Sequence, residues 1–197
     1  MIVGTSRPIK SITMRNLFFL LLTASVFTSC STSRMYFTVE TKQQVEKANV
    51  AITQLQFYNS EEIVLVRQMS KEEFGVEKGR IKIENGKQVE EIIIPRNTPG
   101  ICELHDEKTL KVSFDKGNDN ALAFLVERRN DVVVPGSQFK IGAKEWVTTE
   151  RGNKVGKLDY EGKVFTMVRG MNSRLLIDKS VLNKVDRDTK VAKGRKL

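Results

Sequence analysis

The sequence predicts a mainly β protein, an antiparallel sandwich or barrel of about eleven short strands with at most one short helix. Three observations carry that reading. Apolar residues alternate with polar ones over short runs instead of recurring at helical spacing. Turn residues interrupt the chain about every eight to twelve positions. Asn85-Gly86 stands between two alternating runs, the strongest short-range signal for a hairpin. An α/β fold would need helices between the strands, and no stretch of convincing helical length separates them.

The elements follow in order. Thr41-Lys42-Gln43-Gln44 has the spacing of a helix start, and Val45, Ala48 and Ile52 continue a helical stripe, so the short helix belongs there. From Asn49 the chain alternates, with Val50, Ile52, Leu55 and Phe57 between polar neighbours, which predicts a first strand. Asn59-Ser60 separates it from Ile63–Arg67. Arg80–Glu84 and Gln88–Ile94 flank Asn85-Gly86, Pro95 ends the second run, and Arg96–Gly100 reads as a loop. Ile101–Leu104 turns through His105–Lys108 into Thr109–Phe114, where Leu110, Val112 and Phe114 share one face. After the polar loop Asp115–Asn120, Ala121–Val126 is apolar enough to lie inside a sheet. Val132–Val134 stops at Pro135-Gly136, and Gln138–Ile141 is short. Lys144–Thr149 returns as Lys154–Tyr160, Glu161-Gly162 turns into Lys163–Val168, and Ser173–Ile177 closes the pattern.

The N-terminus carries a different signal. Basic Arg7, Lys10 and Arg15 precede an uncharged run from Leu17 to Val26, and small Thr28-Ser29 lead into Cys30. A bilayer-spanning helix needs about 20 apolar residues, so the run reads as a cleaved export signal. A start at Met14 would give the same mature chain. Phe27-Thr28-Ser29-Cys30 resembles the lipobox of bacterial lipoproteins processed by signal peptidase II, with Phe27 where an aliphatic residue is usual. The resemblance covers the first thirty residues and implies cleavage before Cys30, diacylglycerol on its thiol and a third acyl chain on its freed amine. Two or more chains hold a protein firmly to a bilayer. The residues after Cys30, Ser31-Thr32-Ser33-Arg34, include no Asp, which in that family implies the outer membrane, and no acidic cluster, which implies a periplasm-facing domain. The expected organisation is therefore a signal peptide over 1–29, an anchor and tether over 30–41, a β-rich domain over 42–183 and a basic tail over 184–197.

Composition bounds what such a domain can be. The formal net charge of +9 falls to +6 once residues 1–29 are removed, since they hold three basic residues and no acidic one. The tail from Lys184 to Leu197 carries six Lys or Arg against two Asp. It can touch anionic surfaces or serve as a solvated terminus, and the export signal excludes nucleic acid as the expected partner. With Cys30 committed to lipid, Cys102 has no partner for a disulfide, so stability must come from the core.

Candidate chemistry is sparse. Cys102 and His105 point to opposite faces of a regular strand, and His105 is the only histidine, which removes any metal site or Ser-His-Asp triad built on several imidazoles. Asp115–Asn120 is rich in oxygen ligands but has Gly117 where a calcium ligand would stand and Lys116 as a repelling charge. The carboxylate pairs Glu61-Glu62, Glu72-Glu73 and Glu90-Glu91 are adjacent in sequence and so diverge on a strand. Neither an enzyme nor a cofactor or metal is expected. Trp146, Tyr160 and Phe165 fall on neighbouring predicted strands and would form a ligand platform if exposed together. The expectation is a lipid-anchored envelope protein that binds a protein partner in an outer-membrane or periplasmic assembly, its contact edge at Val132–Val134 or near Ile101. The alternative is a glycan-type ligand held on the aromatic patch.

Overall fold

The computed structural model describes residues 33–69, 81–84, 87–128, 130–150 and 152–183. The signal segment, Cys30, Glu72-Glu73, the Asn85-Gly86 turn and the basic tail lie outside the described residues. The fold class is the expected one, mainly β with every ladder antiparallel. The strands are β1 (Arg34–Tyr36), β2 (Gln56–Asn59), β3 (Ile63–Gln68), β4 (Ile81–Glu84), β5 (Lys87–Ile94), β6 (Pro99–His105) and β7 (Thr109–Ser113). They continue with β8 (Ala121–Val126), β9 (Phe139–Ile141), β10 (Glu145–Thr148), β11 (Lys154–Tyr160), β12 (Lys163–Arg169) and β13 (Leu175–Asp178). One α-helix, α1 (Val39–Lys47), and a 3₁₀ turn over Ile52–Gln54 join β1 to β2.

Seven strands form one sheet in the order β1-β13-β2-β6-β7-β8-β9, and six form the other in the order β10-β11-β12-β3-β5-β4. Buried residues of both sheets belong to one apolar cluster, which is the sandwich of the two expected architectures. The seven-stranded sheet curls until its ends approach without closing. Isolated bridges Thr38↔Gln138 and Lys140↔Arg174 span the gap, and Ile141 N–H donates to the Ser173 carbonyl at 2.8 Å. Alternation builds the core: Phe57, Val112, Phe124 and Phe139 face inward from the larger sheet, Leu65, Ile92, Phe165 and Met167 from the smaller.

The chain passes between the sheets at the β2–β3, β5–β6, β9–β10 and β12–β13 connections, and fully buried Asn59 fastens the first two. Its Nδ2 donates to the carbonyls of Glu61 at 2.7 Å and Pro95 at 2.8 Å, and its Oδ1 accepts from Thr98 N–H at 2.8 Å. These bonds tie the backbone of the two connections together away from water. The β11–β12 hairpin closes through Glu161 and Gly162, with φ of 51° and 70°, the doubly left-handed turn that matches strand twist.

Four departures from the sequence reading are the largest, beside smaller shifts such as β6 starting at Pro99 inside the expected loop Arg96–Gly100 and running through His105. The tether expected over 30–41 is already folded from β1 onward, with Phe37 fully buried and Met35 packed on the core; three residues were too short a run to register as a strand. The helix begins at Val39 instead of Thr41, because Thr38 is its cap and accepts from Thr41 N–H at 3.1 Å. Residues 50–55 are not strand: Ile52 and Leu55 are both buried but three positions apart, a spacing that one 3₁₀ turn satisfies and a strand cannot. Val132–Val134 forms no named strand and stays exposed.

Candidate functional site

The edge that receives the N-terminus is the best-defined surface feature. β1 pairs with β13 in the register Arg34↔Asp178, Met35↔Ile177, Tyr36↔Leu176. One residue further out, Lys179 N–H donates to the Ser33 carbonyl at 2.9 Å. The strand that starts the described domain thus lies beside the strand that ends its sheets, with entry and exit adjacent. On the outer face the Arg34 guanidinium stacks 3.7 Å from the Tyr58 ring centroid. Its Nε lies 3.8 Å from Asp178 Oδ1, and the Tyr58 hydroxyl donates to Asp178 Oδ2 at 3.2 Å. Tyr36 stands half exposed on the same side.

The aromatic trio separates. Register places Trp146 opposite Gly156, Gly156 opposite Met167 and Leu158 opposite Phe165, so Trp146, Tyr160 and Phe165 all take the inner face of the six-stranded sheet. Tyr160 and Phe165 are 1% and 0% exposed and meet edge to face at 6.1 Å, whereas Trp146, on end strand β10, remains 39% exposed. A shared face is not equally covered along its width, and the exposed patch reduces to one indole. Lys154 Nζ lies 5.1 Å from that ring. Gly156 makes room beneath it, since a Cβ there would stand 3.2 Å from Trp146 Cζ3 and 2.7 Å from Ala143 Cβ.

The expected contact edge near Ile101 also needs correction. β6 lies between β2 and β7, and Ile101 is paired with Gln56 on one side and Ser113 on the other, so strand addition at Ile101 is excluded. What β6 to β8 offer instead is an outer face with exposed Ile101, Leu104 and Leu125. Beside it runs a groove of about 730 Å³ whose lining includes Ala121, Ala123, Gly142 and Ala143 between the charges of Lys111 and Asp159. Small side chains keep it open: a Cβ on Gly142 would meet Leu125 Cδ1 at 2.8 Å.

Cys102 is 3% exposed and its Sγ donates to the Leu104 carbonyl at 3.3 Å. Burial pushes its thiol up to about 11, against an ordinary value of 9.0. His105 is exposed at the strand end. Asp106 closes the following hairpin, accepting from Lys108 N–H at 2.7 Å and Thr109 N–H at 2.8 Å, and these bonds hold its carboxyl below the usual range. In the 115–120 loop, Asn120 Nδ2 donates to the Asp115 carbonyl at 2.8 Å and Ser113 Oγ lies 2.6 Å from Asn120 Oδ1. Those oxygens are engaged with the loop itself. Among the described residues no group of three His, Cys, Asp or Glu is placed to hold a metal.

One pair escaped the sequence reading. Arg67 and Glu90 are direct cross-strand neighbours on the inner face of the smaller sheet. Arg67 Nε lies 2.6 Å from Glu90 Oε2, Lys163 Nζ 3.8 Å from the same oxygen, and Glu90 is 1% exposed. The signal was present: Ile63, Leu65, Arg67 and Glu90, Ile92, Ile94 each extend an inward alternation by one charged residue. Glu91 takes the opposite face and is less buried, as adjacency predicts.

No family model, no curated protein and no solved structure matches this chain.

Proposed function

We propose that the chain is a lipoprotein of the bacterial envelope, anchored through Cys30, whose β-sandwich acts by binding a protein partner at the periplasmic side of the outer membrane. The observation that carries it is the basic, apolar, small-residue sequence running into Cys30. Two structural facts support it. The sandwich assembles its core between Phe37 and Ile177, so a mature chain starting at Cys30 keeps the whole core. Ser33, three peptide steps past Cys30, is already bonded to the domain. No helix of the described residues is long and apolar enough to cross a membrane. The outer face bearing Ile101, Leu104 and Leu125 is the surface offered to a partner, and tethering raises its effective concentration beside other membrane proteins. The glycan reading has less support, since it retains Trp146 alone, with a lysine already against the ring.

Crosslinking in intact envelopes tests the reading. Wild type should fractionate with outer membranes and give a defined adduct. Cys30→Ala should lose the membrane association, and Ile101→Lys with Leu104→Lys should lose the adduct while staying anchored. A wild-type chain recovered as free soluble protein with no adduct would contradict the proposal.

A further inference from the structure

We infer that β10 is a self-association edge, to which a second copy of this chain adds its own β10 antiparallel about a twofold axis through Val147. β10 ends the six-stranded sheet, with β11 as its one strand neighbour among the described residues. The ladder decides which backbone groups face out. Thr149 N–H donates to the carbonyl of Asn153, the residue opposite it, at 2.8 Å. Bonded and non-bonded pairs alternate along an antiparallel ladder, so Val147 and Glu145 bond to β11, and the backbone groups of Trp146 and Thr148 point away from it. Lys144 N–H turns inward to the Lys157 carbonyl at 2.8 Å, and a turn from Gly152 N–H to the Thr149 carbonyl, also 2.8 Å, closes the other end. An edge of this kind is a template for another strand. Symmetric registers that bring its outward groups face to face centre on Trp146, Val147 or Thr148. The Val147 register sets Trp146 of each copy opposite Thr148 of the other, so that every outward backbone group of the edge is bonded. It also sets exposed Lys144 across from exposed Glu150 in both directions, a favourable opposite-charge pairing. The Trp146 register would put Lys144 against Thr148, and the Thr148 register would put Trp146 against Glu150. Lys144 reaches its own Asp159 at 3.1 Å, an exposed contact that holds it only loosely. In the Val147 register the two indoles, each 39% exposed in the single chain, lie diagonally across the axis within reach of one another. Half-buried Val147 meets its counterpart directly. The contact uses the same patch on both copies and closes with the pair.

An edge this short makes a small interface and a weak dimer, so the experiment traps it. Single substitutions Trp146→Cys, Val147→Cys and Thr148→Cys are made in the mature chain 30–197 carrying Cys30→Ser, and each purified chain is oxidised mildly. Directly opposed residues of a non-bonded pair stand about 4.5 Å apart between Cα atoms, within the span of a disulfide, so Val147→Cys should form a covalent dimer. Trp146→Cys and Thr148→Cys each face the other position across the axis and should stay monomeric. In the Val147→Cys chain, Lys144→Glu alone or Glu150→Lys alone should lose the dimer, and the two together should restore it. Melting temperatures unchanged under reducing conditions show that the variants are folded. Equal trapping at all the positions, a double charge variant no better than the single ones, or a Val147→Cys chain that stays monomeric overturns the inference. So does a Val147→Cys chain that is monomeric when pure and is trapped in envelopes only on a different protein. None of these readouts involves lipid on Cys30, so this inference and the anchored reading can fail independently.

Discussion

The seven-stranded sheet turns Phe57, Phe124 and Phe139 to the core and keeps its ion pairs at its margins. Arg34 meets Asp178 on the outer face, and Arg174 grips Glu127 with two bonds of 2.8 and 2.9 Å at the gap in the curled sheet. The six-stranded sheet instead carries Arg67 and Glu90 inside. The difference teaches where charge is structural. A marginal pair exchanges water for a partner with little net gain, whereas a buried pair has given up its water and depends on its partner.

Substitutions can break this contrast. Arg67→Met leaves Glu90 buried without its closest cation and should cost about 3 to 5 kcal/mol in urea denaturation, while adding Glu90→Leu should recover most of that loss. If the single variant were as stable as wild type, the pair would be no more structural than a surface one. Asn59→Ala removes the side-chain bonds to Glu61, Ile94, Pro95 and Thr98 at the crossing between sheets and should cost about 2 to 3 kcal/mol, by the same measurement. Arg174→Ala should cost only about 1 kcal/mol, because both partners are partly exposed, and a loss as large as that of Arg67→Met would erase the distinction.

Cys102 sharpens the contrast from the uncharged side. Its thiol is held protonated to about 11 by burial, so Ellman's reagent should leave it unmodified at neutral pH in the folded Cys30→Ser chain and react fully after unfolding. The sign of the linked stability follows. Unfolding frees a thiol that ionises near 9.0, so the contribution is intact below that pH and is lost as pH rises from there through about 11. A thermal melt series across that interval should show a falling midpoint, and Cys102→Ala should flatten it.

Strand after strand was legible because alternation over five or more residues reports a half-buried sheet directly, as in Thr109–Ser113 and Lys154–Tyr160. What escaped was short or depended on partners distant in sequence. β1 has three residues and is a strand only because β13 lies beside it. Tyr160 and Trp146 share a face in sequence and in space, but which of them is covered depends on how far the opposite sheet reaches. Arg67 and Glu90 break the alternation of residue type without breaking that of position, so each alone resembles a surface residue. The site was less legible than the fold for the same reason: the N-terminal address is local in sequence, whereas the adjacency of Ser33 and Lys179 belongs to the sheet order.

The central claim is that Cys30 is the lipidated first residue of the mature chain. Mass spectrometry of the protein purified from membranes tests it most directly. The account predicts an N-terminal peptide starting at Cys30 and carrying diacylglycerol with a third acyl chain, and no such peptide after Cys30→Ala. An unmodified Cys30 inside a longer N-terminal peptide would contradict it.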